Sequence, residues 1–390
     1  MTIQESVVQG FNLSSAQAAE NPNMQSAPQP TPQQALATLA ELLYEGYENP
    51  DHVRGVVQLV IDDAGTDYPL RIALHDTLEL SFVADPTADA TLRMPFATAQ
   101  TLLDTLEYAD FRDPDIIGAI TLTGQLDLIN HVAKALLRPS EDTLTRFQTA
   151  ENKAMPAYRM TDIPRLENPS ELTILQALAA GQPMIITGLP MRTPHSEWSL
   201  ERLERDYGDV PLRVRSAEQK ETVAEFIARV REAEHQRPED IVEGHTKAYT
   251  EGCALPEAMR PDFLPNHFLR SDYIEPQIWL GAVPVNVPAS SLHHDPLDGF
   301  LYQVMGRKKL FMFAPDQAPF LYPMKAYNNY QPCWVKPEAP DLSRYPLYAQ
   351  AKGIEVVLNP GELLVQPAGW FHAVYCLDSP TFSVSYFFRH

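Results

Sequence analysis

Between residues 33 and 140, hydrophobic positions first repeat with helical spacing and then alternate with polar ones. Leu36, Leu39 and Leu43 recur three or four residues apart, which predicts a helix over 32–47. Leu78, Leu80 and Phe82 alternate with polar residues, as expected of a half-buried strand over 78–83. The same criteria predict strands at 55–61, 70–74, 91–94 and 119–123, and helices at 97–108 and 126–137. This order of elements predicts an α+β domain over 33–140.

The pattern becomes mainly strand-like in the second half of the chain. Helical spacing predicts helices at 172–180 and 200–207 and around Val223, Phe226 and Val230, and a short buried strand at 183–188. Beyond Tyr273, apolar runs predict strands at 277–283, 300–305, 308–313, 354–358, 362–365, 370–376 and 381–388. So many strands without intervening helices predict a β-sandwich or barrel over 161–390.

Three segments lack such periodicity. Residues 1–32 are rich in Gln, Ser, Ala, Asn and Pro, so we expect a disordered tail. The polar, proline-broken segment 141–160 is expected to be a linker between the two domains. The long stretch 313–353 interleaves prolines with tyrosines and is predicted to form an ordered lid beside a site.

Charge and cysteine usage exclude several kinds of partner and site. The 390 residues carry a formal charge of −21, and residues 1–150 contribute −14 of it, so nucleic acid and anionic membrane surfaces are poor partners. The three cysteines are far apart and form no C-x-x-C pair, which argues against a disulfide framework or a thiolate zinc site. No apolar run reaches the length of a membrane span or signal peptide. We therefore expect a soluble cytoplasmic protein.

Two short motifs contain candidate metal ligands. In the first, S-L-H-H-D-P, His293 and Asp295 are two residues apart, and on a strand such positions point to the same side. The second, G-x₅-P-x-G-x₂-H, runs from Gly361 to His372 and adds another imidazole. Two imidazoles and one carboxylate leave three positions of an octahedral metal open, as in non-haem Fe(II) oxygenases. The sequence therefore predicts a metal site at His293, Asp295 and His372.

The second motif follows the second cupin motif, with Cys376 where an asparagine is usual. Together with the phrases WSLERLERDYGDV, SLHHDPLDGFLYQVMGRKKLFMFAP and NPGELLVQPAGWFHAV, it makes residues 161–390 resemble the JmjC/cupin-8 group of Fe(II)- and 2-oxoglutarate-dependent oxygenases. The JmjC-only hydroxylases and the factor-inhibiting-HIF type are the most similar. The resemblance implies a double-stranded β-helix, the cupin or JmjC jelly roll, with flanking helices.

The resemblance also assigns roles by position. It implies that His293, Asp295 and His372 bind iron, and that His294 between them points away from the metal as a satisfied or exposed histidine. Lys308 matches the lysine that pairs with the distal carboxylate of 2-oxoglutarate.

Ser290 and Tyr249 match residues that help to bind the same carboxylate, whereas Lys309 has the opposite strand parity and would face outward. Trp279 matches an aromatic residue near the substrate entrance, although a core tryptophan is an equal alternative.

Two positions depart from the family pattern. Many relatives carry asparagine six residues after the first ligand, near the metal-bound end of the co-substrate, where this chain has Gly299. Some also carry asparagine fifteen residues after the last histidine, where this chain has Phe387. No metal ligand is lost, but the two changes leave open a weakened or altered co-substrate site.

The first domain has a resemblance of its own. The segments ADATLRMPFATAQTLLDTL and GAITLTGQLDLINHVAKAL make residues 34–140 resemble the sterol-carrier-protein-2-like fold, which holds an apolar tunnel. An apolar ligand is one implication, and an α+β domain that only packs against a partner is the other.

These observations predict a 2-oxoglutarate-dependent dioxygenase that hydroxylates a C–H bond, with Fe(II) as cofactor and 2-oxoglutarate as co-substrate. The expected substrate is an amino-acid side chain of a peptide or protein, or a small amino-acid-derived molecule, and a homodimer is possible from the family. A catalytically weak or inactive metal-binding cupin that acts as a binding scaffold is the alternative. A cupin that uses another divalent metal for isomerisation or hydrolysis is a third reading.

Overall fold

The computed structural model describes residues 30–109, 118–153, 160–214, 221–234, 248–265, 273–284 and 287–388. The predicted tail, 1–32, lies almost wholly outside these residues. Within them, no helix is long and apolar enough to cross a membrane.

The N-terminal region is a five-stranded sheet covered by helices. Its elements are α1 (Pro32–Gly46), β1 (Gly55–Asp63), β2 (Thr66–Leu74), β3 (Glu79–Ser81), β4 (Ala90–Pro95), α2 (Phe96–Thr105), β5 (Thr121–Gly124) and α3 (Leu126–Leu136). The strand order is β3-β2-β1-β4-β5, with β1 and β4 parallel and the other pairs antiparallel. The predicted α+β character of this region is confirmed.

Local chemistry explains where α1 begins and why β3 is short. The Thr31 hydroxyl accepts from the Gln34 amide and the Gln34 side chain accepts from the Thr31 amide, which satisfies two helix-terminal donors. Strand β3 ends at Ser81, before the predicted limit of 83, because it is the edge of the sheet and Phe82 beyond it is 59% exposed.

The segment predicted to be a linker, 141–160, contains a helix, α4 (Glu141–Lys153). Its sequence is mostly polar, so hydrophobic periodicity did not reveal it. Only one narrow face is buried, with Phe147 and Ala150 three residues apart, whereas Leu144 is exposed. Such a helix forms because a few large contacts stabilise it against a neighbouring surface, here the C-terminal region.

The C-terminal region consists mainly of strands. Its helices are α5 (Glu171–Ala179), α6 (Leu200–Tyr207), α7 (Val223–Glu234), α8 (Arg260–Phe263) and α9 (Ala318–Leu321). Its strands are β6 (Arg165–Glu167), β7 (Met184–Thr187), β8 (Pro211–Leu212), β9 (Glu221–Thr222), β10 (Cys253–Ala254), β11 (Tyr273–Gly281), β12 (Pro288–His294), β13 (Gly299–Met305), β14 (Lys308–Phe313), β15 (Gln331–Pro332), β16 (Gly353–Leu358), β17 (Leu363–Gln366), β18 (Phe371–Cys376) and β19 (Thr381–Phe388).

These strands form two main sheets. The larger has the order β10-β11-β19-β13-β17-β7-β6 and the smaller the order β15-β12-β18-β14-β16. Leu310 and Val374 of the smaller sheet share one buried cluster with Leu364 and Ile185 of the larger, so the sheets face each other. The predicted mainly β architecture is confirmed as two facing sheets, and the pairing of the described strands does not join them into a closed barrel.

The outer face of the larger sheet carries the predicted flanking helices. Leu178 of α5, Leu203 of α6 and Phe226 of α7 pack in one cluster with Phe300 and Val384 of the sheet. Side chains on β13 and β19 therefore alternate between this helical layer and the space between the two sheets.

Residues 314–352 cover the outer face of the smaller sheet, and we call them the insert. Leu321, Val335 and Tyr345 of the insert pack on Phe371 and Tyr375 of β18. The insert was predicted to be a lid, but most of it is a layer of the core. Its prolines and aromatic rings are there because they cover one apolar face of a sheet.

The insert also contacts the N-terminal region. The Glu48 carboxylate accepts from the Lys325 backbone amide at 2.7 Å and from Trp334 Nε1 at 3.2 Å. Asn328 Nδ2 donates to the Ala109 carbonyl at 2.8 Å. The N-terminal region is thus attached to the layer that supports the smaller sheet.

We predict that Phe147→Ala in α4 destabilises the C-terminal region by about 3 kcal/mol, because it removes a buried ring from a packed contact. Leu144→Ala on the same helix is the matched control and should change stability by less than about 0.5 kcal/mol, since Leu144 is 48% exposed. Urea unfolding followed by tryptophan fluorescence measures the difference, because all four tryptophans lie beyond residue 190. Equal effects of the two variants would contradict the docked position of α4.

Candidate metal centre

Strands β12 and β18 are neighbours, and their register places His293 directly opposite His372. The two imidazole rings are 4.2 Å apart between centroids. Asp295 Oδ2 lies 3.9 Å from His293 Nε2 and 3.8 Å from His372 Nε2. One donor atom from each residue lies within 4.8 Å of the others, so a single ion can contact all three.

The three residues come together as the motifs predicted, with one difference in detail. Strand β12 ends at His294, so Asp295 follows the strand and does not belong to it. The Asp295 carbonyl accepts from the Gly369 amide at 2.8 Å, and this bond ties the residue to the turn before His372. The motif residue Gly369 therefore connects both segments that contain candidate ligands.

A backbone carbonyl faces the Nδ1 atom of each histidine. His293 Nδ1 is 2.7 Å from the Ser291 carbonyl, and His372 Nδ1 is 3.3 Å from the Trp370 carbonyl. A carbonyl oxygen only accepts, so the short contact puts the proton of neutral His293 on Nδ1 and leaves its Nε2 lone pair free for a metal. Backbone carbonyls of this kind orient metal-ligating histidines in many proteins.

Burial makes these groups costly in the absence of a cation. Desolvation raises the pKa of Asp295 above its ordinary value, with His293 acting in the opposite direction. Desolvation also lowers the pKa of His372 well below its ordinary value. A bound divalent cation would stabilise the ionised carboxylate and the neutral imidazole, so the donor set fits Fe(II) or a similar first-row metal.

Lys308 lies on the same inner face as the metal ligands. Lys308 pairs with Cys376 across β14 and β18, and Met312, four residues later on β14, pairs with His372. Residues four apart on a strand share a face. Its ammonium is buried and lies 3.2 Å from the Tyr249 hydroxyl. The described part of the chain places no carboxylate in an ion pair with it, and burial lowers the pKa of Lys308 to about 8.

The neighbouring lysine faces the other way, as predicted. Lys309 Nζ lies 3.9 Å from the Glu355 carboxylate and 4.7 Å from the ring centre of Phe311, on the outer side of the sheet. Of these two neighbours, Lys308 is therefore the one that faces the space between the sheets.

A bulge in β12 brings Ser290 to the inner face. Ser290 and His293 are three residues apart, so a regular strand would point them to opposite sides. In the structure, Ser290 pairs with Val374 and His293 pairs with His372, so one extra residue lies between the two pairs. Since residues directly opposite each other share a face, Ser290 points to the side that holds Val374 and His372.

Trp279 lies beside Lys308, at 5.9 Å between the ammonium and the ring centre. Its Nε1 donates to the Ser385 hydroxyl at 2.7 Å. The ring also covers Gly252, where a Cβ would be only 2.5 Å from the indole. The structure therefore places this tryptophan in the wall around the lysine, and Tyr249 lies close by.

Gly299 and Phe387, the two departures from the family pattern, are paired with each other. They are directly opposite across β13 and β19. A Cβ built on Gly299 would lie 3.7 Å from the Phe387 ring, so the ring covers the space above the glycine. On its other side Gly299 pairs with Gln366 of β17.

The sequence of residues 169–390, more than half of the chain, matches the family described as a cupin-like domain. The chain belongs to the cupin-like family. Both motifs that contain the candidate metal ligands, 291–296 and 361–372, lie within the matched residues.

Curated relatives match this domain. Lysine-specific demethylase 8 of Xenopus tropicalis is 29% identical over 239 residues, 58% of this chain and 52% of that protein. The tRNA wybutosine-synthesizing protein 5 of Homo sapiens is 28% identical over 252 residues, 58% of this chain and 78% of that protein. The chain thus spans about half of the length of the first relative.

Solved structures of sterol carrier proteins are also similar to part of the chain. Sterol carrier protein 2 like 2 from Aedes aegypti has a TM-score of 0.21 and 21% identity, and the match covers 26% of this chain and 96% of that one.

Four residues that contact the candidate ligands or His294 were not predicted from sequence: Phe147, Gln331, Gln366 and Tyr330. The ring of His294 points away from the ligands and stacks between Phe147 at 4.1 Å and Phe371 at 4.0 Å. Its Nε2 lies 2.7 Å from Gln331 Oε1 of the insert. It is thus the satisfied histidine that was expected, but its partners Phe147 and Gln331 lie far away in sequence.

On the inner side, Gln366 contacts His372 Nδ1 at 2.8 Å. Tyr330, 39% exposed, lies edge-on to His293 with 5.1 Å between ring centres. No sequence pattern identifies either residue. The position of Gln366 depends on the strand register and that of Tyr330 on the path of the insert, and only the fold defines these.

We predict that His294 makes the metal-free protein less stable as pH falls. Desolvation lowers its pKa to about 4, so between pH 6.5 and 4 the unfolded state binds more protons than the folded state. The free energy of unfolding is therefore highest above pH 6.5 and decreases as the pH falls towards 4. His294→Phe keeps the stacking but removes the titration, so the loss of unfolding free energy between pH 7 and 4.5 should shrink by about 2 kcal/mol.

The measurement is urea unfolding at several pH values with a chelator present. The natural chain, measured over the same pH range, is the reference. An unaltered pH profile in His294→Phe would show that this histidine is not held neutral by its surroundings.

Proposed function

We propose that the cupin-like domain binds Fe(II) and 2-oxoglutarate at His293, Asp295 and His372 and hydroxylates a C–H bond. The observation that carries this proposal is the combination of a two-imidazole, one-carboxylate site with a buried ammonium on the same inner face. A cation site alone would suit several metals and reactions. The ammonium of Lys308 adds a reason for a second ligand that is anionic.

The register gives the backbone distance between the position of Lys308 and that of His372. Lys308 is opposite Cys376, and His372 is four residues earlier on the same strand, roughly 13 Å away at 3.3 Å per residue. A lysine side chain and a five-carbon dicarboxylate together bridge such a span. In this proposal Lys308, Tyr249 and Ser290 hold the distal carboxylate, and the metal holds the other end.

Bound Fe(II) would supply oxidation of the C–H bond by O₂, coupled to conversion of 2-oxoglutarate into succinate and CO₂. The residues of this chain contribute binding, orientation and exclusion of water. The Lys308 ammonium is already desolvated, so an arriving carboxylate meets a charge that water does not screen. Trp279 and the Tyr249 ring enclose that charge from two sides.

For the substrate, we propose an amino-acid side chain of a peptide or protein, with a small amino-acid-derived molecule as the other choice. One relative is named for lysine demethylation and another for synthesis of a tRNA base. The charge of −21 opposes RNA as a partner. We favour hydroxylation over demethylation because the resemblance is strongest to the JmjC-only hydroxylases.

The remaining proposals concern the rest of the chain. Its three cysteines are buried and none forms a disulfide, which supports a cytoplasmic location. We also propose domains at 33–140 and 161–390, joined by 141–160. The acidic N-terminal domain would capture a basic or apolar-tailed partner. A homodimer and an apolar ligand of that domain stay predictions from the two family resemblances.

A binding scaffold without turnover is the second candidate function. The pair of Gly299 and Phe387 favours it, because relatives carry asparagine at these positions near the co-substrate.

We predict that the protein with Fe(II), ascorbate and 2-oxoglutarate releases succinate and consumes O₂ even without a prime substrate. Asp295→Ala should abolish both, because two imidazoles alone bind the metal weakly. Oxygen electrode traces and succinate quantification check the outcome. Iron uptake without any turnover would favour the scaffold. If the protein neither takes up iron nor turns over, the oxygenase proposal is wrong.

The adjacent lysines provide a matched test of co-substrate binding. Lys308→Met should raise the KM for 2-oxoglutarate by about 30-fold or more, since loss of one partner of a buried charge pair costs at least about 2 kcal/mol. Lys309→Met should leave it unchanged, because that lysine is on the outer face. Calorimetric titration of 2-oxoglutarate into both variants gives the same comparison without turnover, and equal affinities would sink the assignment of Lys308.

A further inference from the structure

The side-chain amide of Gln366 lies 2.8 Å from His372 Nδ1, and both side chains are buried. Gln366 is the last residue of β17, and the turn through Pro367 and Gly369 leads from it to β18. The same short turn therefore determines where the amide and the imidazole lie. The contact is made between the sheets, on the side of the metal ligands.

The two histidine ligands differ in how their Nδ1 protons are accepted. His293 donates to the carbonyl two residues earlier, Ser291, at 2.7 Å. The corresponding carbonyl for His372, Trp370, is 3.3 Å away, beyond the usual N–H···O range. Gln366 is nearer than that carbonyl, so it is in a position to complete what the backbone does for the other ligand.

The proton count decides how the amide must be oriented. A neutral imidazole has one N–H, and a metal at Nε2 requires that it be on Nδ1. The group facing Nδ1 must then accept, so the amide presents its oxygen, Oε1, to His372. The structure has Nε2 facing Nδ1, and the hydrogen bonds that each end completes decide which end of an amide faces its neighbour. The opposite orientation would put the proton on Nε2 of His372 and block the metal.

We infer that Gln366 is a positioning residue for His372: its Oε1 accepts the Nδ1 proton and thereby sets the tautomer and the angle of the ring. Outer partners of this kind raise the basicity of a ligand, and their loss typically costs 10–100-fold in metal affinity. The inference rests on the proposed function only in that the three ligands take a divalent metal. It does not depend on 2-oxoglutarate or on turnover.

The test uses Co(II), whose visible absorption reports ligand geometry, titrated into the full chain. Gln366→Met removes the acceptor at similar volume, whereas Gln366→Glu keeps one. Gln317→Met is the matched control, because Gln317 is equally buried in the same domain but bonds to Asp316 and Lys352. Thermal unfolding of each metal-free variant shows whether it has folded.

We expect Gln366→Met to weaken Co(II) binding 10–100-fold and to change the Co(II) spectrum. Gln366→Glu should bind at least as tightly as the natural chain, and Gln317→Met should match it. Equal affinity of Gln366→Met and the natural chain would overturn the inference, and so would equal weakening in Gln317→Met or no Co(II) binding by the natural chain. Tight Co(II) binding without 2-oxoglutarate turnover would remove the proposed function and leave this inference standing.

Discussion

The antiparallel pairing of β12 with β18 is the constraint on which the metal centre depends. It puts His293 opposite His372, on strands whose inner side chains are buried between two sheets. A shift of one residue would turn His372 to the outer face and bring Phe371 or Ala373 inward, because side chains alternate along a strand. The register is held by apolar packing on both faces, so the sheet positions the two histidines, and the backbone bond to Gly369 positions Asp295.

The outer layer stabilises this arrangement from behind. His294 lies between two ligands in sequence, and its ring is fixed by Phe147 of α4 and Phe371 of β18. Ala150 of the same helix leaves no space for a side chain at Gly369, where a Cβ would lie 2.9 Å from it. The helix therefore packs against both ligand-bearing segments. A truncation at residue 150 would cut through α4, so it would disturb the metal centre as well as remove the acidic region.

Sequence reasoning predicted the parts of this site that are encoded locally and missed those created by packing. The ligands His293, Asp295 and His372 were found because motif spacing and strand parity are written in the sequence. Helix α4 was missed because its stability comes from a few contacts with another region and not from amphipathic periodicity. The proline and tyrosine content of the insert indicates that it is ordered but not which face it covers. It therefore predicts a lid where the structure has a layer of the core. Gln366 was missed because a glutamine at the end of a strand has no distinctive pattern.

The two departures from the family pattern face each other across two neighbouring strands. Gly299 lies between Gln366 and Phe387 in a row across β17, β13 and β19, and the phenyl ring covers the glycine. A Cβ at 299 would lie 3.7 Å from that ring, which is ordinary van der Waals contact, so the ring limits only what extends beyond the Cβ. The row begins at Gln366, which contacts His372, so the two departures lie on the metal side of the pocket. Lys308 and Tyr249 lie outside this row, so the residues at 299 and 387 leave the contact between the ammonium and the tyrosine hydroxyl intact.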